Sequence, residues 1–280
     1  MKLATFTESG RGSWGIVEGD SVADVGAVLA HRYAGIRQLL AGNGLAEASK
    51  ALASARRIAM SQVKLDLPVP DAARIICIGR NYRAHVAEGS APPPEHPEFF
   101  LRTSDSLVPH GDVVQRPKVS TSFDYEGELA VVIGRGGRHI AKADALSHVA
   151  GYTILEDGSV RDFQRQHSLA AGKNFHRSGA MGPWICTADE IPDPSRLTLT
   201  TRLNGNQVQH SGLDALIFDI PTLIAYLSDI FLLAPGDVIA TGTPAGVGFA
   251  RKPPLWVKAG DRIEVEIQPI GTLAVGVEDA

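Results

Sequence analysis

The feature that most constrains this chain is a short acidic segment, residues 124–129 (Asp-Tyr-Glu-Gly-Glu-Leu), which runs into the apolar residues 130–133. Successive side chains of a β-strand alternate between its faces, so Glu126 and Glu128 are predicted to point the same way, about 6–7 Å apart. Two carboxylates on one face of a buried strand are costly unless a positive charge lies between them. The segment therefore indicates a divalent cation, although two solvent-facing glutamates on a half-buried strand would also explain it when taken alone.

A second acidic segment strengthens this interpretation. About thirty residues later, the apolar residues 151–155 are followed by Glu156 and Asp157, which supply a third carboxylate. An all-oxygen set of carboxylates, without cysteine or well-spaced histidine, suits Mg²⁺, Mn²⁺ or Ca²⁺ rather than Zn²⁺.

Composition and charge narrow the class of protein. The 280 residues are 44% hydrophobic and 21% charged, which is typical of a soluble globular protein. A net charge of −4 without a basic run argues against nucleic-acid binding. No apolar stretch is long enough to span a membrane, and the N-terminus lacks the apolar core of a signal peptide. Cys77 and Cys186 match no metal-ligand spacing, so reduced core cysteines in a cytoplasmic protein are expected.

The pattern of short strands and turns predicts a mostly β fold with some α-helix (α+β). Residues 1–68 are predicted to form a small N-terminal α+β domain, with a helix over 36–55 that Gly42 and Gly44 interrupt. Residues 71–280 are predicted to form the catalytic domain. Its expected elements are strands at 75–78, 129–133, 197–203, 238–241 and 263–267 and helices at 143–148, 161–169 and 220–230.

A histidine and a glutamate follow the first strand of the larger domain. His85 and Glu88 are three residues apart, so one helical turn places them on a common face. A carboxylate beside an imidazole raises its basicity and fixes its tautomer, as a general base acting on water requires. A surface His–Glu pair without function is the alternative. The Pro-rich residues 89–97 that follow are typical of a loop that closes over a site.

Cationic and polar residues after the second acidic segment could complete a site. Arg161 and Gln164 follow Asp157 at helical spacing, and Arg161 could bind a carboxylate or pair structurally with Asp162 or Glu156. The amine of Lys173 could neutralise charge on an enolate oxygen. Thr243 lies in residues 240–248, which lack the Gly-Lys-Ser/Thr ending of a phosphate loop, so nucleotide binding is rejected and a substrate carboxylate is the expected ligand there.

Six motifs occur in an order that resembles the fumarylacetoacetate hydrolase family, including its acylpyruvate hydrolases and 2-hydroxyhepta-2,4-diene-1,7-dioate isomerases. The resemblance covers about residues 71 to 278 and implies a mixed β-sheet roll that holds one Mg²⁺ or Mn²⁺, usually in a homodimer. The motifs are Gly-Arg-Asn-Tyr-x-x-His-x-x-Glu, Asp-Tyr-Glu-Gly-Glu-Leu, Gly-Tyr-Thr followed by Asp, Arg-Asp-x-Gln, Gly-Lys-Asn-Phe and Thr-Gly-Thr-Pro-x-Gly-Val-Gly.

The resemblance also implies roles for individual residues. The metal ligands would be Glu126, Glu128 and Asp157. The catalytic residues would be His85 and Glu88, which activate water, with Lys173 near the substrate oxygens. The substrate-binding residues would be Tyr82, Arg102, Arg161, Gln164 and Thr243.

Three positions depart from the pattern of the family and affect the expected substrate more than the metal. Arg102 stands where many members have lysine, which changes the geometry of anion binding. Glu156 stands where asparagine is common and is expected to add a negative charge next to the site. Gly158 stands where a small aliphatic residue is more usual.

These observations favour metal-dependent hydrolysis of a carbon–carbon bond in an acylpyruvate-type 2-oxo acid, through an enolate. An alternative on the same site is decarboxylation of oxaloacetate, or isomerisation or hydration of an unsaturated oxo-diacid. A non-catalytic metal-binding protein is the alternative from a different class.

Overall fold

The computed structural model describes residues 1–89 and 92–280. In this part of the chain the strands form a 12-stranded sheet, a five-stranded sheet and a two-stranded ribbon. Most strand pairs are antiparallel and three are parallel, so the large sheets are mixed.

The 12-stranded sheet forms the centre of the molecule. Two short strands of this sheet, β5 (Lys64–Leu65) and β8 (Leu107–Pro109), lie outside the main strand order. From one edge to the other, the remaining strands are β4 (Arg57–Ala59), β3 (Ser21–Ala23), β2 (Arg11–Glu18), β1 (Lys2–Glu8), β14 (Gly179–Thr187), β12 (Val149–Glu156), β11 (Gly127–Ile133), β17 (Val238–Ala240), β6 (Ile75–Gly79) and β7 (Glu98–Arg102).

The five-stranded sheet covers one face of the central sheet. Along β11, the odd-numbered Leu129 and Val131 pack in one apolar core with Val265 of the smaller sheet, while the even-numbered Ala130 and Val132 join a second core on the opposite face. This period of two is the alternation expected for a strand buried on both sides. The sheet order is β16 (Asn206–Gly212), β15 (Thr198–Leu203), β18 (Arg262–Ile267), β19 (Gly271–Asp279) and β9 (Val113–Arg116), and the ribbon pairs β10 (Phe123–Asp124) with β13 (Ser159–Val160).

The helices are short. Two predicted helices are each divided: the one over 36–55 is broken at Asn43, which has a φ of +52°, and the one over 161–169 is broken before Ser168, which caps the next helix. The predicted helix over 143–148 is a 3₁₀-helix, Lys142–His148. In the part of the chain described, no helix has the length and hydropathy needed to cross a membrane. The α-helices are α1 (Val25–Leu29), α2 (Ile36–Ala41), α3 (Leu45–Ala51), α4 (Arg83–Glu88), α5 (Arg161–Gln166), α6 (Leu169–Lys173) and α7 (Ile220–Ile230).

Residues 1–68 continue the central sheet. Strand β1 pairs with β14, with Leu3 opposite Ile185, and Trp14 and Leu39 lie in the same apolar core as Val132. The predicted boundary at residues 68–71 falls in the connection between β5 and β6. The N-terminal part therefore shares a sheet and a core with the part that carries the predicted site.

Candidate active site

The predicted carboxylate triad lies at the ends of β11 and β12. Glu128 shares a face of the sheet with Ala130, and Asp157 directly follows β12 on the face of Leu155, which is paired with Glu128. Glu126 precedes β11 by one residue. One carboxylate oxygen from each of the three residues lies within 4.8 Å of the others. Asp157, rather than the preceding Glu156, therefore supplies the third carboxylate of the triad.

Lys173, at the end of α6, lies against two of the three carboxylates. Its Nζ donates to Glu126 Oε2 at 2.6 Å and to Asp157 Oδ2 at 2.7 Å. Burial alone would lower the pKa of this amine, but the charges of Asp157 and Glu126 outweigh that effect and raise the pKa. Lys173 is therefore a fixed, buried ammonium at the triad.

Arg161, at the start of α5, supports the same carboxylates from another side. Its Nη2 lies 2.6 Å from Glu126 Oε1, its Nε donates to Asp124 Oδ2 at 2.8 Å, and its Nη1 donates to Gln164 at 3.0 Å. Burial opposes ionisation of Glu126, but Arg161 and Lys173 lower its pKa to about 2. Arg161 thus has structural partners, as one of the two alternatives from the sequence stated, but they are Asp124 and Glu126 rather than Asp162 or Glu156.

Arg102 occupies a different place from the one that the resemblance implied. Its side chain is fully buried, and its Nη1 lies 2.6 Å from Asp157 Oδ1. It also donates to the backbone oxygen of Gly158 and to the hydroxyl of Ser178, and it does not line the cavity at the triad. Arg102 therefore lies behind Asp157 and orients its carboxylate, whereas a contact to substrate was expected.

Glu128 is the member of the triad that shows whether the site fits a metal ion. Its Oε2 accepts one hydrogen bond from the backbone of Gly242, at 2.8 Å, and no cationic side chain among residues 1–89 and 92–280 forms an ion pair with it. Burial raises its pKa well above the usual range, and the charges of Asp157 and Glu126 raise it further. A divalent cation held by three carboxylate oxygens would compensate this charge, and a hard all-oxygen donor set fits Mg²⁺, Mn²⁺ or Ca²⁺.

His85 lies in the wall of the same cavity, and Glu88 holds it from behind the wall. His85 Nδ1 is 3.1 Å from Glu88 Oε2, and Glu88 Oε1 accepts from the backbone of Gly246 at 2.8 Å. Because a carboxylate only accepts, Nδ1 carries the hydrogen and Nε2 remains available to exchange a proton with a ligand. In the Pro-rich loop predicted to close over the site, residues 90 and 91 lie outside the part of the chain described, and Arg80 donates to the backbone oxygen of Pro92 at 2.7 Å.

The cavity is small, with a volume of about 290 Å³, and its inner end is highly charged. The triad, Lys173 and Arg161 lie at the buried end, and apolar side chains form part of the wall. This volume is at the lower end of the range for small-molecule sites, about 300–1,000 Å³. The apolar side chains that line it are Ile78, Val86, Phe100, Leu169 and Phe249.

Two further residues predicted to contact the substrate, Tyr82 and Thr243, do not present a free hydroxyl to the cavity. Tyr82 is buried outside the cavity wall, and its hydroxyl has no hydrogen-bond partner among the described residues. Thr243 lines the cavity, but its hydroxyl donates to the backbone of Gly127 at 3.1 Å and accepts from Gln209 at 2.8 Å. Of the predicted substrate-binding residues, Arg161, Gln164 and Thr243 line the cavity.

Glu156 does not add the negative charge expected from the sequence. Its Oε1 accepts from the backbone nitrogen of Glu126 at 3.0 Å, whereas its Oε2 has no partner among the described residues. Burial raises its pKa to about 8, so the carboxyl is mostly protonated at neutral pH.

The neighbouring Gly158 is required by close packing, because a Cβ there would lie 1.8 Å from the backbone oxygen of Ser178.

Several functional contacts were not expected from the sequence. Asp124 accepts hydrogen bonds from Arg161 and from the backbone nitrogens of Gly248 and Phe249. The sequence signal for Asp124 was its spacing of two residues from Glu126, which is the spacing of side chains on one face of a strand. The anchoring of Glu88 by a distant loop had no such local signal.

Residues 74–278 match the family model described as fumarylacetoacetate (FAA) hydrolase C-terminal. The chain belongs to the fumarylacetoacetate hydrolase family. This confirms the predicted family and, together with the structural similarities below, the predicted mostly β fold with α-helix.

Family members similar to this chain have different named activities. An oxaloacetate tautomerase of Bacillus subtilis (strain 168), YisK, is 42% identical over 251 aligned positions, and the match covers 82% of this chain and 83% of that protein. A maleylpyruvate hydrolase from Sphingobium sp. SYK-6, solved with manganese(II) and pyruvate, is 34% identical with a TM-score of 0.84 over the whole of both chains. A 2-hydroxyhepta-2,4-diene-1,7-dioate isomerase from Mycobacterium marinum is 27% identical with a TM-score of 0.78, covering 100% of this chain and 98% of that one.

The first prediction concerns the metal. We expect Mn²⁺ or Mg²⁺ to raise the melting temperature of the wild-type protein, because a ligand at 100 times its Kd stabilises the folded state by about 2.7 kcal/mol. Glu128→Gln should abolish this increase, since it removes the carboxylate that lacks a cationic partner. Thermal unfolding with metal and with EDTA measures both effects, and the exposed Glu95→Gln is the matched control. An unchanged metal response in Glu128→Gln would contradict the assignment.

The second prediction concerns Glu156 in the metal-free protein. Its pKa is about 8 in the folded state against 4.5 for an ordinary glutamate, so the folded state binds more protons between these values. The free energy of unfolding should therefore fall as the pH rises from about 4.5 to about 8, by an amount on the order of a few kcal/mol. Glu156→Gln keeps the oxygen that accepts from the Glu126 backbone nitrogen and should reduce the decrease in the free energy of unfolding. The decrease that remains would come from Glu128, whose pKa is also raised. Urea unfolding at several pH values in EDTA measures the slope, and identical slopes for the two proteins would exclude this role.

Proposed function

We propose that this chain is a divalent-metal-dependent enzyme that interconverts the keto and enol forms of a small 2-oxo acid of the oxaloacetate class. The observation that carries the proposal is that one small cavity is lined by a carboxylate triad, a buried ammonium and a histidine that Glu88 holds. The named activity of the Bacillus subtilis relative supports the same reaction class.

The charge of the site suits an anionic substrate. When Glu128 is ionised, as metal binding requires, and Glu156 is mostly protonated, four buried carboxylates face three buried cations, and the protein groups carry about one excess negative charge. One divalent cation would change the excess to about one positive charge. The carboxylates are Asp124, Glu126, Glu128 and Asp157, and the cations are Arg102, Arg161 and Lys173.

The triad would hold the metal, and the neighbouring side chains would stabilise charge. A divalent ion bound by Glu126, Glu128 and Asp157 would supply Lewis-acid polarisation of the 2-oxo acid. Lys173 donates its three ammonium hydrogens to Glu126 and Asp157, so it would stabilise negative charge that develops on a substrate oxygen through its fixed positive charge.

His85 is placed to move the proton. Tautomerisation moves one proton between C3 and the oxygen on C2 of the substrate and breaks no carbon–carbon bond. Nε2 of His85 can accept that proton because Nδ1 is held by Glu88, and it can return the proton in the opposite step. Glu88 is in turn fixed by the backbone of Gly246, which keeps the imidazole oriented.

A second candidate is the hydrolysis of an acylpyruvate to pyruvate and a carboxylic acid. The anchored dyad favours it, because an imidazole oriented by a carboxylate is also suited to take a proton from water that attacks the distal carbonyl. A solved structure of similar fold is named as a maleylpyruvate hydrolase, which is consistent with this reaction.

The third prediction separates these reactions in the wild-type protein. With Mg²⁺ or Mn²⁺, we expect faster loss of the ultraviolet absorbance of enol-oxaloacetate than with metal alone, and no enhancement in EDTA. Release of pyruvate and acetate from acetylpyruvate would favour the hydrolase, and pyruvate from oxaloacetate would favour decarboxylation. A metal-loaded, folded protein that turns over none of these substrates would favour a binding role.

The fourth prediction concerns the dyad. General acid–base catalysis contributes about 10²- to 10⁴-fold to a rate, so His85→Gln should lower kcat for tautomerisation by about 100-fold or more. Glu88→Gln should lower it less, because the imidazole stays in place but loses the charge that orients it. The metal-induced rise in melting temperature serves as the control and should persist in both variants. Full activity in His85→Gln would show that another group moves the proton.

A further inference from the structure

The cationic side chains in the cavity wall differ in whether a protein carboxylate already neutralises them. Lys173 and Arg161 are paired with the buried carboxylates described above, and Arg80 Nε lies 3.4 Å from Glu98 Oε2. Arg165 also lines the cavity. Within residues 1–89 and 92–280, no hydrogen bond or ion pair involves its side chain. Arg165 is therefore the wall cation whose charge remains available to a ligand.

Packing holds this arginine at the outer end of the cavity. Arg165 is exposed, whereas the triad and Lys173 at the inner end are buried. Its guanidinium carbon lies 4.8 Å from the ring centroid of Phe249, and the guanidinium carbon of Arg161 lies 4.6 Å from the same centroid. The aromatic ring thus orients Arg165 by a cation–π contact and leaves its N–H groups free to bind an anion.

The two arginines of α5 differ in their charge partners. Arg161 is compensated by Asp124 and Glu126, but Arg165, four residues later on the same helix, forms no ion pair among the described residues. A negatively charged ligand at the outer end would therefore meet Arg165 as an uncompensated cation.

We propose that Arg165 is a specificity-determining residue that binds a second carboxylate of the substrate, so that the site selects 2-oxo dicarboxylates over 2-oxo monocarboxylates. This inference rests on the proposed function, since it assumes that the 2-oxo acid end of the substrate occupies the inner end of the cavity. The planar guanidinium fork matches a carboxylate with two parallel hydrogen bonds.

The experiment compares oxaloacetate with its 4-methyl ester, which keeps the 2-oxo acid end and lacks only the second charge. For metal-loaded Arg165→Gln we expect kcat/KM for oxaloacetate to fall about tenfold, mainly through KM, since the contact does not change along the reaction. The value for the ester should change less than twofold. Arg165→Lys should retain part of the preference, and added salt should weaken the preference of the wild type, because the contact is exposed. The exposed Arg138→Gln is the matched control and should behave like the wild type.

A binding measurement separates this inference from the proposed function. Malate and its 4-methyl ester differ by the same charge but cannot tautomerise, and calorimetry with the Mn²⁺-loaded protein gives their affinities. Tighter binding of malate that is lost in Arg165→Gln would support the inference even if the wild type fails to turn over oxaloacetate, in which case only the proposed function would be wrong. Equal losses on diacid and ester, or no loss on either, would overturn the role of Arg165 and leave the proposed function standing.

Discussion

The ammonium of Lys173, held between Glu126 and Asp157, is the interaction on which the rest of the site depends. Charges buried this deeply are tolerated only when they are paired and hydrogen-bonded, and removing one partner leaves an uncompensated charge. Through this ammonium, the end of α6 is joined to the ends of β11 and β12. Arg102 and Arg161 then neutralise the outer oxygens of the same two carboxylates. Glu128 is left without a cationic partner in the described chain, and this defines where a divalent ion fits.

One loop connects this cluster to the histidine–glutamate dyad. After β17 the chain presents the backbone nitrogen of Gly242 to Glu128 and, four residues later, that of Gly246 to Glu88. The carbonyl of Gly246 is itself held by the hydroxyl of Tyr125 at 2.9 Å. One segment therefore holds one carboxylate of the triad, that of Glu128, and the carboxylate of the dyad, that of Glu88, and so links the metal site to the proton carrier through the backbone.

This arrangement offers a physical basis for the different named activities of the similar proteins. A fixed inner end with carboxylates and an ammonium would serve any reaction that develops negative charge on a 2-oxo acid. Differences at the outer end would then decide which substrate enters. We accordingly propose that Arg165, which packs against Phe249 in the cavity wall, determines the choice of substrate in this chain.

The sequence by itself determined the features that follow from local periodicity. The spacing of two residues predicted that Glu126 and Glu128 lie together, and helical spacing predicted that His85 meets Glu88. Both pairs are present in the structure, although Glu126 lies one residue before β11 rather than within it. The order of the motifs identified the family, which the match over residues 74–278 confirms. These features need only the repeat of one strand or one helix, so the sequence contains them.

Only the tertiary structure decided which charges meet and which are neutral. Arg102 reaches Asp157 across 55 residues of sequence, and Lys173 reaches Glu126 across 47. Burial, which depends on every segment packed around a group, protonates Glu156, and because no ion pair in the described chain involves Arg165, its guanidinium is free to bind an anion. The strength of a charge interaction depends on distance and on solvent exposure, and neither is set until distant segments have folded together.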